Sequence, residues 1–294
     1  MTPSTAVLIT GCSSGIGHAT AKHLYARGWT VYATARRREA LADLHEAGCH
    51  TLALDVTDEQ SMRRAVNEVE EREGAVGVLV NNAGYSQSGA IETVAMDAVR
   101  TQFETNVFGL ARMCQLVLPK MRAQRAGKIV NLSSMGGRLT FPGAGFYHAT
   151  KYAVEAISDA LRFEVQGFGI QVIVVEPGLI RTRFAESAVG SMIPAAGGEA
   201  DGSGPYGDFN AAVMTASVQA YEVGPMARLG GPPQAVARKI EKAISAGRPR
   251  TRYTVTPSAR VLLGLRAVLR DRAWDAFVSS QFPRPGEPRK DRER

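Results

Sequence analysis

The sequence predicts an α/β protein in which one doubly wound parallel sheet carries helices on both faces. Short apolar, β-branched runs such as residues 6–10 alternate with longer helix-favouring stretches from residue 5 to about residue 180. No linker-like segment interrupts this alternation. The 294 residues are 45% hydrophobic, which is enough for a sizeable core. We therefore expect a single domain over residues 1–280.

The first predicted strand leads into a glycine-rich turn and then into a helix. Residues 11–17 read Gly-Cys-Ser-Ser-Gly-Ile-Gly, and helix-favouring residues follow them. Glycine lets a ligand approach the backbone closely, and the free N–H groups at a helix start attract phosphate. The spacing differs by one residue from the usual dinucleotide fingerprint, so we interpret it as a related turn that binds a dinucleotide pyrophosphate. A tight strand–helix turn without a ligand is the alternative.

The second predicted strand, residues 30–34, is followed by three arginines. Dinucleotide folds carry at this point the residue that contacts the adenosine ribose, and an acidic residue there binds the 2′-hydroxyl of NAD. Arg36 and Arg37 instead offer guanidinium groups, which bind a 2′-phosphate through charge-assisted hydrogen bonds. We therefore expect NADP(H) as the cofactor rather than NAD(H). The alternative is that these arginines cap and solvate the start of the next helix.

Tyr147 and Lys151 are four residues apart in a stretch predicted to be helical, so they share one face of the helix. A nearby cation favours the phenolate and lowers the tyrosine pKa from its reference value of about 10. Tyrosine can then act as a general acid or base. The pair alone is a weak motif, and an inward-packed aromatic ring beside a solvated lysine is the alternative.

Further polar features follow later predicted strands or lie in a long helix: Asp55 with Val56, residues 81–84 (Asn-Asn-Ala-Gly), Asn106, and Ser133 with Ser134. Together with the glycine turn, the Tyr–Lys pair, Pro177-Gly178 and Thr182, they resemble the one-domain branch of the short-chain dehydrogenase/reductase family. The resemblance covers roughly residues 5–185. In its cofactor half the sequence is similar to hydroxysteroid and retinol dehydrogenase-like members. A Rossmann-type fold is implied.

The resemblance also implies roles for individual residues. Tyr147 would give a proton to a carbonyl or take one from an alcohol, and Ser134, rather than Ser133, would hold the substrate oxygen. Lys151 would bind the nicotinamide ribose and lower the pKa of the tyrosine, while Asn106 would hold a water that links the lysine to solvent. The residues lining the cofactor would be Gly11, Ser13, Ser14, Gly15, Ile16, Gly17, Asp55, Val56, Asn82, Ala83, Gly84, Tyr147, Lys151, Pro177, Gly178 and Thr182, with Ser13 and Arg36, assisted by Arg37, at the 2′-phosphate.

The implied activity is hydride transfer between NADP(H) and a ketone, aldehyde or alcohol. No metal is expected, because the five histidines show no ligand spacing. One alternative is a catalytically idle NADP(H)-binding sensor or partner-binding protein, against which the intact tyrosine argues. Another is a sugar-nucleotide epimerase or dehydratase of the extended branch, against which the spacing between Gly11 and Gly15 and the short region after residue 185 argue.

Residues 184–231 are rich in glycine and alanine and are predicted to form a flexible flap that closes over the substrate. Apolar side chains in this segment and before Tyr147 indicate a bulky lipophilic carbonyl substrate, such as a steroid-, retinoid- or polyketide-like compound. These side chains are Met192, Tyr206, Phe209, Met214, Tyr221, Met226, Phe141, Pro142 and Phe146.

The net charge is +7, and part of it lies in residues 281–294, which we expect to be a disordered basic tail. Without an interleaved aromatic and basic surface, nucleic-acid binding is not expected. The amphipathic segment 259–270 should pack on its own domain or cover the substrate entrance, and peripheral membrane or partner contact is the less favoured alternative.

The cellular location and the oligomeric state can also be predicted. No signal peptide and no apolar stretch of membrane-spanning length is apparent, and the three cysteines are too few for a disulfide framework or a zinc site. We therefore expect a cytoplasmic protein. The family resemblance implies a homodimer or homotetramer formed through the helices that carry Asn106 and Lys151.

Overall fold

The computed structural model describes residues 2–182, 204–223, 225–282 and 284–286. In this part of the chain seven strands form one parallel sheet with the order β3-β2-β1-β4-β5-β6-β7. The predicted doubly wound α/β fold is therefore confirmed. The strands are β1 (Val7–Ile9), β2 (Val31–Ala35), β3 (His50–Ala53), β4 (Val78–Asn81), β5 (Gly127–Leu132), β6 (Ile170–Pro177) and β7 (Arg252–Val255).

Helices cover both faces of this sheet. α1, α2 and α9 pack on one face, while α3, α5 and α6 pack on the other. The described helices are α1 (Gly15–Ala26), α2 (Ala42–Glu46), α3 (Glu59–Glu73), α4 (Met96–Phe103), α5 (Gly109–Ala123), α6 (Gly145–Val165), α7 (Gly207–Val218), α8 (Pro225–Arg228), α9 (Pro233–Ser245), α10 (Pro257–Val268) and α11 (Asp271–Ser279).

The apolar strands are explained by burial on both faces of the sheet. In β1, Val7 and Ile9 point into the cluster that contains Leu24 of α1, whereas Leu8 points into the cluster that contains Met113 of α5. Alternate residues of a strand face opposite sides of a sheet, so a strand covered on both faces must be apolar throughout. This requirement produces the continuous runs from which the strands were predicted.

The amphipathic segment 259–270 packs on its own domain, which is one of the two favoured expectations for it. It forms most of α10, and its Leu262 is buried in a cluster with Leu139 and with Trp274 of α11. Val261 and Val268 of the same helix remain exposed. Among the helices of the described residues, none combines the length and the apolar character needed to cross a bilayer.

α5 begins where the chain passes close to the loop after β3. A single π-helical turn, Glu104–Phe108, leads into Gly109 at the start of α5. A Cβ atom at Gly109 would lie 2.4 Å from the carbonyl oxygen of Val56. Only glycine therefore allows this approach of two backbone segments.

Replacing Gly109 with alanine should lower the free energy of unfolding by about 1 to 3 kcal/mol, because the new methyl group forces backbone to move. Gly264→Ala is the matched control. Gly264 is also helical, and a Cβ there meets nothing within 4 Å, so the control should be neutral or stabilising by up to about 1 kcal/mol. Urea denaturation of both variants measures the difference, and equal effects would contradict the packing argument.

Candidate active site

The glycine turn after β1 is joined to the end of β4 by hydrogen bonds of Asn82 and Thr10. The Asn82 side-chain amide donates to the carbonyl oxygens of Thr10 (2.9 Å) and Gly11 (3.0 Å). In return, the Thr10 hydroxyl accepts from the backbone N–H groups of Asn82 (3.0 Å) and Ala83 (2.9 Å). The two loops therefore form one rigid unit.

The turn has the features of a phosphate cradle. Gly11 and Gly15 have φ angles of +73° and +61°, values that side chains rarely allow. Ser14 precedes α1 without capping it through its side chain, so its hydroxyl does not compete for the N–H groups at the helix start. Gly15 and Ile16 line a large cavity. The backbone N–H groups of Gly15 and Ile16 at the start of α1 can hold a dinucleotide pyrophosphate.

This cavity, of about 1000 Å³, runs along the carboxyl edge of the sheet. Its wall brings together most of the residues that the sequence singled out. They are Gly11, Ser13, Ser14, Gly15, Ile16, Arg36, Asp55, Val56, Asn82, Ala83, Gly84, Ser134, Tyr147, Lys151, Pro177, Gly178 and Thr182.

Gly17, Arg37 and Asn106 do not form part of that wall. Gly17 is a packing residue, because a Cβ there would lie 2.3 Å from the carbonyl oxygen of Gly11. Arg37 is exposed and directly precedes a 3₁₀ turn that begins at Arg38. The alternative that the arginines cap and solvate the start of the next helix fits Arg37 only in its exposure, because the Arg37 side chain makes no capping hydrogen bond, whereas Arg36 lies on the cavity.

Asn106 is buried in the π-helical turn before α5 and holds backbone instead of facing the cavity. Its amide accepts from the Tyr85 N–H (3.1 Å) and donates to the Tyr85 carbonyl (2.8 Å) and the Thr150 hydroxyl (3.1 Å). The Thr150 hydroxyl in turn donates to the carbonyl of Tyr147 (2.7 Å). Asn106 thus connects the loop after β4 to the first turns of α6.

Tyr147 and Ser134 form the polar centre of the cavity. Tyr147 is 9% exposed, and a hydrogen bond links it to the side chain of Ser134. The Ser134 hydroxyl is held in place because it also accepts from the N–H of Gly136 at 3.1 Å. The Ser133 hydroxyl, by contrast, is buried. The geometry therefore favours Ser134 over its neighbour.

Lys151 lies one turn after Tyr147 on the same face of α6. Its ammonium donates to the carbonyl of Leu132 (2.8 Å) and lies 5.9 Å from the centre of the Tyr147 ring. Burial lowers the pKa of Lys151 to about 8, although the charge of Glu155 acts in the opposite direction.

The prediction that Tyr147 has a lowered pKa is wrong. Burial, assisted by the nearby phenol of Tyr221, raises the pKa of Tyr147, and the hydrogen bond from Ser134 offsets only part of this effect. The distance from Lys151 explains the difference, because its ammonium bonds to a carbonyl and not to the phenol. Tyr147 is therefore protonated at neutral pH.

His148 follows Tyr147 and is buried beside it. Its Nδ1 lies 3.0 Å from the carbonyl oxygen of Gly136, which can only accept, so Nδ1 carries the proton. Among the described residues Nε2 has no hydrogen-bond partner. Burial lowers the pKa of His148 to about 4, while the Gly136 bond acts in the opposite direction. The ring is neutral near pH 7.

The far end of the cavity contains residues that sequence reasoning missed. Leu262 of α10 and Phe277 of α11 line it, and so do Gln281 and Phe282, which extend the wall two residues into the predicted tail. The aromatic spacing of Trp274, Phe277 and Phe282 was the available signal.

The residues predicted to face the substrate fall into three groups. Four of them line the cavity, namely Phe141, Pro142, Tyr221 and Met226. Four others pack in satellite clusters, namely Tyr206, Phe209, Met214 and Phe146, and Met192 lies outside the described residues.

A glycine turn before a helix and a Ser–Tyr–Lys set, in which the tyrosine and the lysine are buried, at the carboxyl edge of a parallel sheet are typical of a dinucleotide-binding oxidoreductase. The sequence pattern of the family described as short chain dehydrogenase matches residues 5–191. The chain therefore belongs to the short-chain dehydrogenase/reductase family, whose members carry out nicotinamide-dependent oxidoreduction by hydride transfer.

Individual relatives agree with this assignment. The chain is 34% identical to the NADPH-dependent 3-dehydrocapnine reductase of Ornithobacterium rhinotracheale, over 91% of this chain and 94% of the relative. It is 43% identical to the 3-ketodihydrosphingosine reductase of Bacteroides thetaiotaomicron, but over only 62% of this chain and 66% of that protein. A short-chain dehydrogenase structure from Streptomyces avermitilis matches with a TM-score of 0.74 and 33% identity, covering 95% of this chain and 96% of the other.

Lowering the pH should destabilise this protein, partly because folded His148 resists protonation. An unfolded histidine binds a proton below about pH 6.5, whereas folded His148 resists protonation down to about pH 4, so stability falls as the pH falls through this window. Between pH 7 and pH 5 the parent should lose about 1 to 2 kcal/mol more unfolding free energy than His148→Gln. Urea denaturation at both pH values tests this, and parallel losses in the two proteins would contradict it.

Proposed function

We propose that this protein is an NADPH-dependent reductase of ketones or aldehydes, working reversibly on the matching alcohols, with Tyr147 as the general acid and base. The observation that carries the proposal is the hydrogen-bonded pair of Ser134 and Tyr147 on the cavity wall. Lys151, the glycine turn and Arg36 line the same cavity. A protein that only senses a nucleotide has no need of that pair.

The groups around Tyr147 suit proton donation to a carbonyl oxygen. The cofactor supplies the hydride when bound. Because burial raises the pKa of Tyr147, the phenol retains its proton until negative charge develops on the substrate oxygen beside it. Ser134 lies within hydrogen-bonding distance of the same hydroxyl and can hold that oxygen in place. Lys151, with a pKa near 8, can supply the proton that Tyr147 regains after each turnover, by way of a bridging hydroxyl or water, since its ammonium does not bond to the phenol.

Asn106 supports this reaction as a positioning residue. Its three hydrogen bonds fix the Tyr85 backbone and the Thr150 side chain, and through Thr150 they fix the helix turn that carries Tyr147 and Lys151. A Cβ at Gly84 would lie 3.1 Å from Asn106 and 3.7 Å from the Lys151 ammonium, so both groups border the same glycine. A water held there would extend the lysine toward solvent, as the family resemblance implies.

NADPH is favoured over NADH by the charge at the end of β2. Arg36 lines the cavity, and within the described residues it forms no ion pair with an acidic side chain. An unpaired guanidinium binds a 2′-phosphate well. One relative that covers nearly the whole chain is named as NADPH-dependent.

The far wall favours a bulky, mostly apolar substrate. Phe141, Met226, Leu262 and Phe277 come from four separate parts of the chain and pack in one apolar cluster that lines the cavity, and Val213 of α7 lines the same cavity. Such walls bury the apolar body of a ligand while a few polar groups orient it. The relatives named above act on 3-ketodihydrosphingosine and 3-dehydrocapnine, which makes these two compounds suitable first substrates to try.

We also propose that the protein self-associates through the outer faces of α5 and α6. Phe108, next to the start of α5, and Tyr152 and Phe163 of α6 are large side chains that stay exposed in the single chain. Large apolar side chains left exposed on neighbouring helices are typical of an interface between subunits.

Tyr147→Phe should reduce turnover of ketones by NADPH at least about a hundredfold, because the proton donor is lost while the ring is retained. Tyr152→Phe, on the exposed side of the same helix, should keep the parent rate. Nicotinamide absorbance with a panel of steroid, retinoid and long-chain ketones provides the measurement. Equal turnover by parent and Tyr147→Phe would remove the mechanism.

Arg36→Asp should lower the ratio of kcat/KM with NADPH to kcat/KM with NADH about tenfold or more, because a carboxylate repels the 2′-phosphate. Arg37→Asp makes the same charge change outside the cavity wall and should leave the ratio within about threefold, since exposed charges are screened by salt. Steady-state kinetics with both cofactors distinguish the variants. A similar fall of this ratio in both variants would show that the net charge of the protein, and not the position of Arg36, sets the cofactor preference.

A further inference from the structure

A second phenol faces the same cavity as Tyr147. Tyr221 belongs to the π-helical turn Gln219–Val223, which follows α7, and its side chain lines the cavity. It lies close enough to Tyr147 to raise the pKa of that residue. The cavity therefore holds one hydroxyl from α6 and another from the segment after α7.

The Tyr221 hydroxyl makes no hydrogen bond to any of the described residues. Burial alone raises its pKa to about 12, with no neighbouring donor or charge taking part. Other tyrosines of the chain differ, since Tyr206 donates to Glu92 (2.5 Å) and Tyr32 donates to Glu73 (2.8 Å). A hydroxyl that faces a cavity and has no partner in the protein can pair with a ligand that supplies one.

Apolar side chains line the same cavity as Tyr221. Val213 and Ala216 of α7, Met226 of α8 and Leu262 of α10 are among them, together with the polar Ser217 and Gln219. A polar group in a binding cavity discriminates strongly between ligands with and without a matching group, because the unmatched polar group stays unpaired. A neutral phenol can both donate and accept, so it can pair with an alcohol.

We propose that Tyr221 binds a hydroxyl group of the substrate that lies a few bonds from the reacting carbonyl, so that the preferred substrates are long-chain hydroxy ketones. This inference rests on the proposed function, since it assumes that Ser134 and Tyr147 hold the carbonyl oxygen. Tyr221 is then a residue that determines specificity, and Tyr147 remains the proton donor.

Calorimetric binding to the protein saturated with NADP⁺ tests this, because an oxidised cofactor does not reduce a ketone, and constant nicotinamide absorbance in the same mixture checks that the hydroxyl of a probe is not oxidised. The probes are a long-chain methyl ketone, its α-hydroxy derivative and its β-hydroxy derivative. At least one hydroxy ketone should bind the parent about tenfold more tightly than the plain ketone. Tyr221→Phe, which keeps the ring and removes only the hydroxyl, should reduce this advantage to about threefold or less.

Tyr206→Phe is the matched control, because Tyr206 lies just before α7 and its hydroxyl bonds to Glu92 away from the cavity wall. Tyr206→Phe should keep the ratio of the dissociation constants of the plain and hydroxy ketones at its value in the parent. Equal affinity of the parent for all three probes, including no binding at all, would overturn the proposal, as would a preserved ratio in Tyr221→Phe. An equal loss for plain and hydroxy ketones would also overturn it, since Tyr221 would then bond the carbonyl oxygen itself.

Turnover of the same probes with NADPH separates the two proposals. A hydroxyl-dependent binding ratio without turnover supports the role of Tyr221 and contradicts the reductase function. Turnover of the plain ketone with no binding advantage for its hydroxy derivatives supports the reductase function and overturns the role of Tyr221.

Discussion

The hydrogen bonds between Asn82 and the turn at Thr10 and Gly11 are the constraint on which the nucleotide half of the site depends. The strand order reverses between β1 and β4, so the loops that leave these two neighbours diverge to opposite faces of the sheet. This divergence opens a crevice. The Asn82 amide and the Thr10 hydroxyl join its two sides through four bonds of about 3 Å, and the width of the phosphate cradle is thereby set before any ligand arrives.

The half of the cavity that contains Tyr147 depends on burial instead. Tyr147, His148 and Lys151 occupy two adjacent turns of α6, and each is nearly inaccessible to water. Loss of hydration disfavours the charged form of all three groups, so it raises the pKa of the phenol and lowers those of the imidazole and the ammonium. The fixed carbonyls of Gly136 and Leu132 orient the two nitrogen groups. A protonated phenol beside an ammonium that is close to losing its proton is the result.

The features that could be predicted from the sequence are those in which function and local chain geometry coincide. A glycine turn between a strand and a helix, and a tyrosine one helical turn before a lysine, are set by neighbours in the sequence, and the structure brings them to one cavity. Arg36 and Arg37 could not be separated, because which of them reaches the cavity depends on how the chain leaves β2. The pKa of Tyr147 was predicted in the wrong direction because burial of the ring depends on the tertiary fold, and the electrostatic effect of Tyr221, which is distant in the sequence, adds to it. The aromatic spacing that includes Phe282 was too weak to place this residue on the cavity, since its packing depends on a contact with α7, more than sixty residues earlier in the chain.

The cavity is assembled from two stretches of very different character. The glycine turn and the Ser–Tyr–Lys set lie within residues 5–191, the part that the family pattern recognises. Other parts of the cavity wall are contributed by α7, α8, α10 and α11, which follow that part and pack mainly in satellite clusters. Because these clusters are largely separate from the two main cores, they can accept new side chains without disturbing cofactor capture. Gene duplicates of such a protein could diverge in what they recognise by drift in the last third of the chain, while inheriting the hydride-transfer apparatus intact.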